Sequence, residues 1–259
     1  DIGEQSRDAY NMESVEVFKG PTSSIFGRGG AAGSINIVTK KPQLEDFATL
    51  NLGVGTDDYF RTTVDVNQVL DKENGFALRV NALFSDAGVS ERDDVYKKGM
   101  GLALGLSYDL GPDTSLVALF EYLKQDELPD YGMPPSVFDL SGVKRSNYYG
   151  DVHNDHNDVT NKKFKLILNH KFSDDSSLIN VTSLSQNDVD ISVMAPSSTL
   201  YIKDINGDFI TDTINPTYLK SKNKTRRDTV STYSNQTTFK KELELGGMLH
   251  RMSLGLDLS

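Results

Sequence analysis

Val15 to Pro42 reads VEVFKGPTSSIFGRGGAAGSINIVTKKP, and this stretch sets the frame for the rest of the chain. Val15, Val17 and Phe18 form a short β-prone run, and Lys19-Gly20-Pro21 supplies a turn. Gly27, Gly29, Gly30 and Gly33 then bracket a loop of small residues ahead of Ser34-Ile35-Asn36-Ile37-Val38-Thr39. Glycines at this density allow positive φ and close backbone approach, so the loop either packs tightly or presents its backbone to a ligand. It is not a phosphate cradle. The G-x-G-x-x-G order is absent, no GK[ST] closes the loop, and a β-branched strand follows where a nucleotide site needs a helix.

Downstream of this stretch the apolar residues alternate with period two, as in strands with two unlike faces. Phe76, Leu78, Val80, Ala82 and Phe84 share one face, with Ala77, Arg79 and Asn81 on the other. Met100, Leu102, Leu104, Leu106, Tyr108 and Leu110 are likewise opposed by Gly101, Ala103, Gly105, Ser107 and Asp109. Phe164, Leu166, Leu168, His170 and Phe172 repeat the pattern, as do Met252, Leu254, Leu256 and Leu258. Nine segments qualify, near 47–55, 59–70, 75–85, 97–110, 114–125, 162–172, 177–191, 228–243 and 248–259. No helix is expected between them.

The connections alternate in length. Those at Asp71–Asn74, Gly111–Asp113, Ser173–Ser176 and Glu244–Gly247 are short. On the other side a tight turn at Thr56–Asp58 is followed by longer loops at Asp86–Tyr96, Asp126–Asn161 and Ser192–Arg227. Short turns at one end and long loops at the other are the signature of an outer-membrane barrel. The aromatic spacing agrees. Phe76 and Phe84, like Phe164 and Phe172, lie eight residues apart, and eight steps of about 3.3 Å cover about 26 Å, close to the apolar band of roughly 25 Å between two aromatic girdles.

Composition fits without deciding. The 259 residues include 37 acids, 27 Lys plus Arg, 21 Gly, no Cys and no Trp, for a formal charge of −10. A polar average is compatible with a membrane barrel, which turns only alternate side chains to lipid. No run approaches the roughly 18 apolar residues of a spanning helix. The acidic balance opposes nucleic-acid binding, and the lack of Cys removes disulfides, zinc-thiolate sites and thiol nucleophiles. Residues 1–42 hold five acids and five bases, so the whole excess charge lies beyond Pro42. The chain opens at Asp1 with no targeting segment, as a piece of a longer product would.

Glu16-Val17-Phe18-Lys19-Gly20-Pro21, Phe26-Gly27-Arg28-Gly29 and Ile35-Asn36-Ile37-Val38-Thr39-Lys40-Lys41-Pro42 together resemble the C-terminal half of the plug of TonB-dependent outer-membrane receptors. Arg7-Asp8-Ala9-Tyr10-Asn11 and the Phe26–Gly29 step look most like the ferric-siderophore, catecholate branch. Val54-Gly55, Val64-Asp65-Val66-Asn67, Arg79-Val80-Asn81 and Gly255-Leu256-Asp257 resemble its barrel strands. Ala32 departs from the pattern, standing where the family often has a glycine. The resemblance implies an all-β fold: a partial antiparallel transmembrane β-barrel of about nine strands (43–259) preceded by part of a plug domain (1–42). It also implies the outer membrane of a Gram-negative bacterium, a ferric siderophore as ligand, no resident cofactor, and the TonB–ExbB–ExbD complex as partner through a TonB box outside this chain. Outer-membrane lipid and lipopolysaccharide would surround it. The alternatives are another cargo such as cobalamin, haem or an oligosaccharide, then a passive barrel, then a soluble all-β binding domain.

By the same resemblance Phe26 and Arg28 lie at the plug apex, Phe26 to stack on ligand and Arg28 to pair with the charge of a ferric catecholate. Tyr131, Tyr148 and Tyr149 sit in the Asp126–Thr160 loop, where aromatics suit a flat ligand while seven acids oppose an anionic one. His153, Asp155 and His156 have metal-ligand chemistry but no fixed spacing, so no metal site is assigned. Asn206-Gly207 reads as a type I′ hairpin turn. Lys220, Lys222, Lys224, Arg226 and Arg227 form a basic return toward the membrane. No catalytic constellation is found, and none of the residues is assigned an enzymatic role.

Overall fold

The computed structural model describes residues 8–20, 33–133, 143–203, 206–211 and 218–259. Among the described residues the chain is β throughout apart from one 3₁₀ turn, η1 (Ala9–Asn11). β1 (Met12–Lys19) and β2 (Gly33–Thr39) pair antiparallel as a separate two-stranded hairpin. A second sheet is an antiparallel meander of β3 (Phe47–Val54), β4 (Phe60–Asp71), β5 (Phe76–Val89), β6 (Arg92–Asp109), β7 (Thr114–Glu127), β8 (His156–Ser173), β9 (Ser176–Lys203), β11 (Tyr218–Leu245) and β12 (Met248–Leu258). A short β10 (Phe209–Thr211) pairs with the end of β9.

All nine long strands fall where the alternation places them, but several run further on the long-loop side. The segment expected as a loop at Asp86–Tyr96 is a continuing hairpin that turns at Ser90-Glu91, with Glu91 at φ 57°. β8 starts at His156, β9 extends to Lys203, and β11 begins at Tyr218. The cause is physical: past the apolar belt the outward face takes on polar residues such as Asp86, Lys98, Asp158 and Asp190, so the apolar alternation fades while the hydrogen-bond ladder continues. Asn206-Gly207 does sit in a hairpin, yet it is not a two-residue type I′ turn. Lys203 pairs with Phe209, leaving residues 204–208 as the connection, and Gly207 has positive φ (87°) while Asn206 does not. A type I′ turn needs positive φ at both.

The large sheet is inverted relative to a soluble one. On β5, Ala77, Arg79, Asn81 and Leu83 are at most 4% exposed, whereas Phe84 on the apolar face is 49% exposed. On β6 the row Met100 to Leu110 is exposed, and Gly101, Ala103 and Gly105 opposite are buried. The polar and small face is therefore the inner one, and it lies against η1, the hairpin and the segment leading to β3. Tyr10, Leu83, Ala103 and Leu123 form the packed cluster between them. Glycine is required where the approach is closest: a β-carbon at Gly101 would meet Tyr10 Cζ at 2.8 Å, and one at Gly105 would meet Pro42 Cδ at 2.9 Å.

Candidate functional site

The inner face of β4 and β5 grips the hairpin through ion pairs. Arg79 makes a two-pronged pair with Asp65 (2.9 and 2.8 Å), reaches Glu13 on β1 (3.3 Å), and donates to the Lys41 carbonyl (2.8 Å). Lys40, at the end of β2, contacts Asp65 (2.9 Å), the Tyr10 carbonyl (2.8 Å) and Asn81 Oδ1 (3.1 Å). Arg79 stacks over Phe47 with its guanidinium carbon 5.0 Å from the ring centre. Asn67 accepts from Gln43 N–H and donates to the Gln43 and Glu45 carbonyls, fixing the linker. The side chains of Arg79, Asp65 and Lys40 are only 5, 13 and 18% exposed, so each charge depends on its partners.

Asp8 completes the grip with two bonds to Arg61 (2.7 and 2.9 Å). Burial by itself raises the Asp8 carboxyl, but the Arg61 guanidinium and the Tyr10 and Ala9 N–H groups overcome it and hold the group below its ordinary range. A cleft of about 330 Å³ remains between the hairpin and the wall of β5 to β8. Its charged lining comprises Asp8, Lys40, Arg79, Glu121, Lys163 and Lys165.

At the long-loop end the β7–β8 connection folds onto its neighbours. Arg92 makes a two-pronged pair with Asp130 (2.6 and 2.8 Å) and also donates to the Arg145 carbonyl. Asp155, 6% exposed, accepts from Asp151 N–H and Met194 N–H, both at 2.8 Å, and from the Tyr148 hydroxyl at 2.7 Å. Desolvation, with that bond to Asp155 and the nearby acids, pushes the Tyr148 hydroxyl well above its usual range. Tyr149 donates to the Lys144 carbonyl at 2.7 Å. Tyr131 is 56% exposed, with Lys224 Nζ 4.6 Å from its ring centre.

The five residues singled out in the sequence thus separate. Phe26 and Arg28 lie outside the described residues. Tyr148 and Tyr149 spend their hydroxyls on loop closure, and Tyr131 presents an open ring beside a cation. The basic return is split by strand parity: Lys224 faces inward toward Tyr131, while Arg227 faces outward and pairs with Asp190 (2.6 Å). Asp155 is consumed by the loop, His156 lies between the Asn154 carbonyl and Asp190, and among the described residues no cluster of three or more metal-ligating side chains occurs. Sequence reading missed the Asp8, Lys40, Asp65, Arg61 and Arg79 grip. The available signal was charge on the small, inward side of β4 and β5, at Arg61, Asp65 and Arg79.

No protein-family model matches the chain. A curated metal-pseudopaline receptor, CntO of Pseudomonas aeruginosa, is 35% identical over 171 residues, covering 66% of this chain and 24% of its own. The catecholate siderophore receptor Fiu of Escherichia coli K12 is 31% identical over 200 residues, covering 72% of this chain and 26% of its own. The crystal structure of the ferric-catecholate import receptor Fiu superposes with a TM-score of 0.83 at 27% identity, over 99% of this chain and 40% of that one. The chain therefore spans about a quarter of the length of these curated relatives. An apolar-outside, polar-inside β-wall with a hairpin clamped to its inner face has the architecture of part of a plugged β-barrel. The homologues of this chain are TonB-dependent receptors.

Proposed function

We propose that residues 1–42 are the C-terminal part of a plug and residues 43–259 the N-terminal part of a transmembrane barrel, in an outer-membrane receptor that binds and imports a ferric siderophore of catecholate type. The observation that carries this reading is the motif-bearing hairpin held by Lys40, Asp65 and Arg79 to the inner face of an inside-out sheet. Such a hairpin obstructs the lumen, so the receptor is a gated importer and not a passive pore. The cargo is inferred from relatives named for catecholate siderophores and for metal-pseudopaline, both of them metal chelates. Those relatives are named as receptors, and the role proposed here is transport and not catalysis. The ligand enters as substrate, and energy for plug movement would come from TonB–ExbB–ExbD. The contact residues proposed are Phe26 and Arg28 on the plug and Tyr131 in the loop, with Tyr148 and Tyr149 shaping that loop.

The test is binding of ferric catecholates, ferric hydroxamates, haem and cobalamin to the full-length receptor in detergent, alongside Phe26→Ala, Arg28→Ala and Tyr131→Ala. Tight binding of one ferric catecholate, weakened about tenfold or more by losing an aromatic or charge-assisted contact, supports the assignment. Exclusive binding of haem or cobalamin refutes the cargo and leaves the receptor class standing.

A further inference from the structure

The β7–β8 connection carries Tyr131 on a run whose neighbouring residues are fastened. Before it, Leu128 N–H donates to the Tyr96 carbonyl on β6 (3.1 Å), and the Pro129 carbonyl accepts from the Tyr148 hydroxyl (3.0 Å). Beyond it, Gly132 N–H donates to Asp130 Oδ1 (2.7 Å). That bond closes an Asx turn with Tyr131 enclosed between its ends. The Asp130 carboxylate is itself gripped by Arg92 at the start of β6, Nε to Oδ2 at 2.6 Å and Nη2 to Oδ1 at 2.8 Å. Both partners are sheltered, the Arg92 side chain being 11% exposed and that of Asp130 17%. A further Arg92 N–H, to the Arg145 carbonyl, ties in the far side of the same connection.

Tyr131 differs from the residues around it. It is 56% exposed, and its ring is braced by Lys224 of β11, whose Nζ lies 4.6 Å from the ring centre. The fastening therefore serves the position of the ring and not its burial. An exposed aromatic on an immobilised backbone loses little freedom when a ligand stacks on it, and that saving appears as affinity.

We infer that Arg92 and Asp130 are positioning residues that hold Tyr131 in ligand-ready geometry and so set the affinity for an anionic aromatic chelate. The inference rests on the Tyr131 contact proposed above and gives that contact its support on another strand pair. Charge separates this role from simple attraction. For an anionic ligand, loss of Arg92 removes an attractive charge and loss of Asp130 a repulsive one, so electrostatics alone would move affinity in opposite directions. Loss of positioning moves it downward in both.

The experiment is a double-mutant cycle on the full-length receptor in detergent, with the ferric chelate of a synthetic tripodal tris-catecholate as probe. Arg92→Ala and Asp130→Ala should each weaken binding about fivefold or more, with thermal unfolding of the barrel unchanged. Asp130→Asn, which keeps an acceptor for the Gly132 N–H, should lose less. In a receptor already carrying Tyr131→Ala, neither alanine change should weaken binding further. Tighter or unchanged binding by Asp130→Ala overturns the positioning role, as does an equal loss with and without the Tyr131 ring. Failure of the wild type to bind the chelate, or binding by Tyr131→Ala equal to that of the wild type, instead overturns the contact beneath the inference, so the two failures are told apart.

Discussion

Asp65 is the residue on which the plug-to-wall contact turns, because Arg79 and Lys40 both address it within 3 Å. Its replacement by Ala strands two largely buried cations at once, and breaking a buried pair from one side costs roughly 3–5 kcal/mol. The expected result is a lower unfolding midpoint and faster protease nicking of the hairpin. Asp65→Asn keeps the shape and part of the hydrogen bonding and should fall between. Asp8 gives a pH-dependent version of the same argument. Its folded pKa lies below the ordinary 3.8, so the stabilisation is complete above that value and disappears as pH falls through the lower, folded one. Asp8→Asn should therefore lower the midpoint at pH 7, and the difference from wild type should shrink on strong acidification, when the wild-type carboxyl is neutral too. A difference that is constant with pH would show that the charge on Asp8 is immaterial. The network was legible in the sequence only as charges at the wrong sort of position. Arg79 and Asp65 stand on faces with Asn81 and Asn67, but nothing in their spacing names Lys40 or Glu13 as partners.

At the scale of elements, Gly33 shows how closely β1 and β2 approach. Its φ is 140°, and a β-carbon there would collide with the Phe18 carbonyl oxygen. Gly33→Ala should destabilise the hairpin by about 1–3 kcal/mol, the usual cost of a strained backbone position, read as a fall in thermal midpoint with no effect on outward-facing accessibility. Strand positions were legible because Met100–Leu110 and Phe164–Phe172 alternate against small or polar partners. Strand ends were not, because Asp86, Lys98, Asp188 and Asp190 stand on polar extensions above the belt, where alternation carries no signal. The turn at Asn206-Gly207 was misjudged in type for a related reason: the dipeptide marks a turn, but the register of Lys203 with Phe209 sets its length. Tyr148 looked like a ligand-facing aromatic because a sequence shows its ring and not the Asp155 carboxylate that claims its hydroxyl.

For the whole molecule, the deciding property is which face of the sheet meets lipid. A single arginine separates the faces energetically. Leu104→Arg on the exposed side of β6 should cost about 2–4 kcal/mol in a bilayer, as expected near its midplane, and reduce assembly into the membrane, whereas the same change in a water-soluble sheet would be almost neutral at a 39% exposed site. These 259 residues contain no cysteine, so a thiol introduced among them is unique within this part, and any cysteine elsewhere in the full-length receptor is first replaced by serine. Spin labels at Leu166 and Leu168 on the outward face of β8, and at Lys165 and Asn169 on the inward face, would be read in the full-length receptor in bilayers for collision with oxygen and with a water-soluble nickel chelate. The expected result is an alternation of period two: oxygen-accessible and nickel-protected at 166 and 168, the reverse or doubly protected at 165 and 169. Nickel accessibility at 166 and 168 equal to or above that at the inward positions would contradict it.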